Sequence, residues 1–121
     1  MRVRAARGAI VVAEDSAEVT LETTRRLLTE VLARNHVARE DLVSILFTAT
    51  DDLRSVFPAE AARRMGLGIV PLMCAREIPV VGSMPSVVRL LVHFHSERSL
   101  DEVEHVYLDG AESLRDDLAA N

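Results

Sequence analysis

The chain has 121 residues, of which 49% are apolar and 27% are charged, and its formal net charge at pH 7 is −5. This length and composition fit one compact domain with a modest hydrophobic core. The acidic balance argues against binding to a nucleic-acid backbone, which needs clustered positive charge, and three Phe, one Tyr and no Trp offer little for base stacking.

The cysteine content and the first residues of the chain indicate its cellular compartment. Cys74 is the only cysteine, so an internal disulfide cannot form and a reducing environment is indicated. The apolar patch at 9–13 is too short for the hydrophobic region of a signal peptide and far too short to cross a bilayer. We therefore expect a soluble cytoplasmic protein without a membrane partner.

The first third of the chain reads as a strand followed by a long helix. Residues 2–13 are rich in β-branched side chains, and Gly8 in their middle predicts a bulge or a close backbone approach. Asp15 and Glu18 have the spacing of a capping box. The apolar stripe of the following helix runs to Asn35, which we expect to end it in the left-handed conformation.

The middle of the chain alternates strands and short helical pieces. A helical turn at 39–41 precedes a strand at 42–48, in which apolar and polar residues alternate. Residues 57–66 have proline near the start and glycine at the end, which is typical of a short helix. Residues 69–73 read as the third strand.

The last part of the chain is predicted to be mainly extended. A fourth strand covers 87–95, a capping box at 99–102 opens a helical turn, and extended segments follow at 105–108 and 111–115. The order β-α-β-α-β-β-β predicts an α+β fold with a mixed sheet and helices on one face. We expect a single domain over residues 1–115 and a flexible tail over 116–121.

Arg89 is the most unusual residue in the predicted strands. It lies in a run of valines and leucines in which both faces are partly apolar, so burial of its guanidinium is costly unless an anion meets it. Two partners remain open on this reasoning: a structural salt bridge, for example to Glu77, or a bound anion. Arg7, beside Gly8, is a second arginine of the same kind.

Other combinations of reactive residues give weak signals. His93 and His95 have a spacing that can hold a metal, but no third ligand is evident nearby, and we expect no metal. Cys74 has no histidine or asparagine that the sequence places beside it, and no phosphate-binding glycine motif is present. Arginines without a general base or a nucleophile suit the binding of a small polyanion, and no cofactor is predicted.

Several blocks of the sequence resemble the monofunctional, homotrimeric chorismate mutases of the α/β type, as opposed to the all-helical type. The blocks occur in the family's order and span nearly the whole chain: Arg4 to Ala9, Ala49 to Leu53, Phe57 to Arg63, Val70 to Glu77, Val88-Arg89 and His105 to Leu108. The resemblance implies a mixed five-stranded sheet flanked by helices. It also implies a trimer that forms a barrel-like core, with active sites at the subunit interfaces.

The resemblance further implies the conversion of chorismate to prephenate, a Claisen rearrangement in phenylalanine and tyrosine biosynthesis. Because this reaction moves no proton, the enzyme needs only to hold the compact conformer of its substrate and to stabilise charge as the ether bond stretches. The absence of a base and a nucleophile would then be expected.

Roles for individual residues follow from the resemblance alone. Arg89 would donate to the ether oxygen, and Glu77, across the substrate from it, would accept from the ring hydroxyl. Arg7 with Tyr107 would hold the side-chain carboxylate. The remaining expected contacts are Cys74 and Met73 near the hydroxyl, Phe57 as an apolar wall, Arg63 of a neighbouring subunit near the ring carboxylate, and Leu114 and Arg115 at the mouth.

Two rival functions share these features. One is a trimeric regulatory module that binds a carboxylate without transforming it, and the other is the similarly shaped trimeric family that hydrolyses reactive imines. A further feature concerns Glu60, since some relatives carry a lysine at this position beside the substrate. The positive charge near the ring carboxylate would here come from Arg63 alone.

Overall fold

A computed structural model describes residues 1–115, and the predicted flexible tail at 116–121 lies outside the described residues. Seven main elements follow one another: β1 (Arg2–Val11), α1 (Ala17–Arg34), β2 (Leu42–Ala49), α2 (Ala59–Ala62), β3 (Leu72–Arg76), β4 (Val87–Ser96) and β5 (Val106–Leu108). Short helical turns at Arg39–Asp41, Arg63–Leu67, Leu100–Glu102 and Ala111–Arg115 complete the described part. The predicted order of elements is confirmed.

The five strands form one mixed sheet in the order β3-β2-β4-β1-β5. The central pairs, β1 with β4 and β4 with β2, are antiparallel, whereas the outer pairs, β1 with β5 and β2 with β3, are parallel. Arg89 therefore lies on the central strand, with Ala9 of β1 on one side and Thr48 of β2 on the other.

The two faces of the sheet differ in what covers them. Helix α1 packs on one face, where side chains of the sheet and the helix form the buried core: Phe47, Leu90, Val92, Phe94, Leu27, Leu28 and Val31. Arg89, Leu91 and His93 of β4 lie on the opposite face and are only partly buried. Within residues 1–115, the turn Ala111–Arg115 and Met84 of the loop before β4 pack against that opposite face, at its margin. We call this opposite face of the sheet the open face.

Gly8 lets α1 approach the sheet closely. A Cβ atom at this position would lie 3.1 Å from side-chain carbons of Leu27, Val31 and Leu90. The pairing of β1 with β4 runs unbroken from Arg2 to Val11, so the glycine marks a close approach and not a bulge.

The start and the end of α1 differ from the sequence prediction. The N-cap is Ser16, whose Oγ accepts from the backbone N–H of Val19 at 3.2 Å, and the predicted capping box of Asp15 and Glu18 is absent. Asp15 is engaged elsewhere, because its carboxylate accepts from the Ser55 hydroxyl at 2.7 Å. Asn35 does end the helix, but its φ is −98°, and the left-handed residue is His36.

Two extended segments were also misplaced. β3 begins at Leu72, three residues later than predicted, because Val70 closes a turn onto Leu67 and Ile69 points into solvent. Residues 111–115 form a 3-10 helix instead of an extended segment. The capping box at 99–102 is confirmed, with the Ser99 N–H donating to the Glu102 carboxylate at 2.9 Å.

No helix within residues 1–115 is both long and apolar enough to cross a membrane.

Candidate active site

A cavity of about 260 Å³ lies on the open face of the sheet. Strand pairing places Thr48, Arg89, Ala9 and Tyr107 in one row across four neighbouring strands, and this row forms its floor. The wall includes Arg7, Leu46, Leu91 and Leu114. We call this space the arginine cavity, because Arg7 and Arg89 are its charged lining residues.

Arg89 and Glu77 contact each other directly. The Arg89 Nε donates to the Glu77 Oε2 at 3.0 Å, and the Thr48 hydroxyl donates to the same oxygen at 2.7 Å. The side chain of Glu77 is 17% exposed and that of Arg89 is 38% exposed. The resemblance implied that substrate separates these two groups, and the direct hydrogen bond differs from that expectation.

The salt bridge nevertheless leaves much of the Arg89 guanidinium free. Its contact with Glu77 uses Nε alone, and neither terminal nitrogen has a hydrogen-bond partner within residues 1–115. The geometry is therefore compatible with both partners that the sequence left open for Arg89, a salt bridge to Glu77 and a bound anion. Glu77 holds one edge of a guanidinium that borders a cavity, and the other edge can meet an anion.

Arg7 adds a second positive charge to the cavity. Its side chain is exposed, and no hydrogen bond or ion pair to its guanidinium occurs within residues 1–115. Its backbone N–H donates to the Nδ1 of His105 at 2.9 Å. Burial, reinforced by the charge of Arg7, lowers the pKa of His105, so this imidazole is neutral near pH 7 and adds no charge.

Phe57 and Cys74 lie together in a different place. They line a cavity of about 630 Å³ beside the edge strand β3, and we call it the edge cavity. The Cys74 side chain packs against the core on the helix-covered side of the sheet. Met73 has the opposite orientation. It pairs with Leu46 on the open face and is 62% exposed.

Arg63 and Arg115 line neither cavity. Arg63 follows α2, is exposed, and its Nη1 lies 3.3 Å from the Glu60 carboxylate. Arg115 is exposed at the end of the last 3-10 turn. Within one chain, the predicted site residues therefore fall into three sets: those at the arginine cavity, those at the edge cavity, and those that line neither.

Sequence reasoning missed two residues near the arginine cavity. Thr48 holds Glu77, and it could have been found only from the pairing of β2 with β4, because its own strand shows ordinary alternation. His105 had no visible partner in the sequence and contacts β1 across 98 positions. His93 pairs with the Ser44 hydroxyl at 3.1 Å, and residues 1–115 contain no group of three or more side chains arranged to hold a metal.

Comparisons with known proteins agree on one family. The model of the family described as chorismate mutase type I matches residues 3–118. The chain is 49% identical to chorismate mutase AroH of Thermus thermophilus over 117 residues, which is 96% of each protein. It is 38% identical to chorismate mutase AroH of Bacillus subtilis over 120 residues, covering 98% of this chain and 94% of that protein.

A solved structure shares the fold. The chorismate mutase from Clostridium thermocellum superposes with a TM-score of 0.88 at 39% identity, covering 90% of this chain and 97% of that one.

Proposed function

Because the chain belongs to the chorismate mutase type I family and is an isomerase that converts chorismate to prephenate, we propose that it works through the arginine cavity. Family membership places it in aromatic amino acid biosynthesis and decides against the carboxylate-binding module and the imine-hydrolysing trimer.

The observation that carries the proposed mechanism is a pair of guanidinium groups with free donors on one cavity. In the rearrangement the C–O bond lengthens ahead of C–C bond formation, so the ether oxygen gains negative charge. The terminal nitrogens of Arg89 would donate to this oxygen, and a donor already held in place stabilises charge without reorganising. Arg7 and Tyr107 would hold the side-chain carboxylate and keep the substrate compact.

Glu77 would complete the electrostatic arrangement. Thr48 and Arg89 hold its Oε2, and its Oε1 has no hydrogen-bond partner within residues 1–115. That oxygen would accept from the ring hydroxyl, and its negative charge would favour the electron-poor ring of the transition state. Covalent and acid–base steps are not needed.

Loss of chorismate absorbance, with prephenate identified as the product, tests the activity of the purified protein. Protein that binds chorismate but leaves it unchanged would contradict the catalytic proposal and favour a binding module.

We also propose that three copies assemble with the active sites at their junctions. The exposed apolar side chains of the chain include Leu46 and Met73 on the open face and Phe57 at the edge cavity. The division of the predicted site residues between two cavities supports the same assembly, since the edge cavity of one subunit would complete the arginine cavity of its neighbour. Sedimentation equilibrium should give three times the 13.3 kDa mass of the chain.

The proposed location is the cytoplasm. The single cysteine supports it, since the chain forms no internal disulfide and needs no oxidising compartment.

The turnover rate should vary little between mildly acidic and mildly basic pH. Arginine stays protonated throughout this range, and the reaction itself moves no proton. The measurement is kcat for chorismate in buffers of constant ionic strength. A bell-shaped profile centred on the usual pKa range of histidine would contradict the mechanism.

Replacing Glu60 with glutamine should lower KM for chorismate. Glu60 lies 3.3 Å from Arg63 and 3.5 Å from Arg64, so it competes with an anionic ligand for their charge. Because these pairs are exposed, the gain should be modest, at about fivefold or less. Glu30→Gln is the control, since Glu30 pairs with Arg34 on α1 away from both cavities and should leave KM unchanged. An unchanged KM in Glu60→Gln would mean that Glu60 does not compete with the substrate for the charge of these arginines.

A further inference from the structure

Asn35, at the end of α1, makes three side-chain hydrogen bonds although it is 2% exposed. Its Nδ2 donates to the carbonyls of Val31 at 2.9 Å and Glu104 at 2.8 Å, and its Oδ1 accepts from the Glu104 N–H at 2.8 Å. A buried amide with all these groups satisfied holds its partners in a defined position. The backbone of Glu104 is thereby fixed to the end of the helix.

The next residue, His105, connects the fixed backbone of Glu104 to strand β1 beside the arginine cavity. Its Nδ1 accepts the backbone N–H of Arg7 at 2.9 Å. The parallel pairing of β1 with β5 begins one residue later, where Gly8 is opposite Val106. The imidazole therefore extends the pairing of the two strands by one hydrogen bond beyond its backbone part.

This bond lies next to two side chains of the arginine cavity. Arg7 is the residue whose N–H is held, and Tyr107 follows His105 by two positions on β5. Both side chains line the arginine cavity, whereas His105 and Asn35 do not.

We propose that His105, held in place through Asn35 and Glu104, is a positioning residue that sets the distance between Arg7 and Tyr107 across the cavity. The proposal rests on the proposed function, in which these two side chains hold the side-chain carboxylate of the substrate. The acceptor Nδ1 requires a neutral ring with its proton on Nε2. Burial and the charge of Arg7 lower the pKa of His105, which favours this neutral form.

Two substitutions of similar polarity at His105 distinguish an effect on the position of Arg7 from an effect on folding. The Asn oxygen of His105→Asn lies near the place of Nδ1 and can accept the Arg7 N–H, whereas the longer side chain of His105→Gln carries its oxygen to the place of Nε2. We expect kcat/KM of His105→Gln to fall by about tenfold or more, because small displacements of substrate-holding groups are costly. We expect His105→Asn to stay within about threefold of the native value.

A double-mutant cycle with Arg7→Ala distinguishes positioning from general destabilisation. If His105 acts through Arg7, His105→Gln should cost much less in the Arg7→Ala background than in the native one. Thermal unfolding of each variant shows whether it is folded at the assay temperature, and nitrogen NMR of the imidazole should show the proton on Nε2 at pH 7.

The outcomes are distinct. Equal losses from His105→Gln in both backgrounds, or unchanged kcat/KM in the native one, would overturn the positioning role. Equal losses in His105→Asn and His105→Gln would overturn it as well, since the hydrogen bond would then not matter. If Arg7→Ala alone leaves catalysis intact, the proposed function of Arg7 fails, and this result is separate from any effect of His105.

Discussion

Replacing Arg89 with alanine should raise the activation barrier by about 3 kcal/mol or more, a loss of about a hundredfold or more in kcat. The reason is that the terminal guanidinium nitrogens, free of protein partners within residues 1–115, would meet the ether oxygen only as it gains charge. An interaction made mainly in the transition state affects turnover more than KM. Steady-state kinetics with chorismate give both quantities.

Two control variants sharpen this test. Arg34→Ala removes an arginine on α1 that lines neither the arginine cavity nor the edge cavity, so its kcat should be close to native. Arg89→Lys keeps a positive charge but loses the planar fork, and it should recover only part of the lost activity. Because Arg89→Ala also leaves Glu77 without its cation, a thermal unfolding curve should accompany the kinetics. Near-native turnover in folded Arg89→Ala would exclude Arg89 from the proposed role.

The sequence predicted the core strands well where periodicity was strong. Val88, Leu90, Val92 and Phe94 are all buried on one face of β4, and the alternation placed Arg89 on the other. The third strand was misplaced because an apolar run at 69–73 looks the same whether its residues enter a sheet or a turn. Asp15 was assigned to the helix cap because the sequence did not reveal its contact with Ser55, forty positions away.

The sequence and the family resemblance indicated candidate site residues, but they did not indicate the geometry between them. Family resemblance indicated Arg7, Glu77 and Arg89, and the structure brings these three near one cavity. The direct contact of Glu77 with Arg89 could not be read from the chain, since it depends on the bond from the Glu77 N–H to the Ala49 carbonyl and on the Thr48 hydroxyl. The contact that fixes the residue before His105 is equally long-range, because Asn35 at the end of α1 bonds the backbone of Glu104, 69 positions later.

Mixing two inactive variants should restore activity if the active site lies between subunits. Arg89→Ala disables the arginine cavity, and Phe57→Asp puts a carboxylate on the edge cavity, where it would repel a dianionic substrate. Phe57 is 74% exposed, so this substitution should leave the fold of the chain intact. After unfolding and refolding together, each mixed trimer would contain one complete site. Equal amounts should then give about a quarter of native activity, because three quarters of the trimers are mixed and each has one site of three.

The control mixture pairs Arg89→Ala with Arg7→Ala, two substitutions in the same cavity of one chain. Every arginine cavity in these mixed trimers carries one of the two defects, so no complete site can form and activity should remain low. Recovery in the control would mean that Arg7 and Arg89 serve different active sites. Absence of recovery with Phe57→Asp, in trimers shown by native mass spectrometry to be mixed, would mean that the edge cavity does not complete the arginine cavity of a neighbour. The two mixtures together therefore assign each half of the site to its subunit, which a single chain cannot reveal.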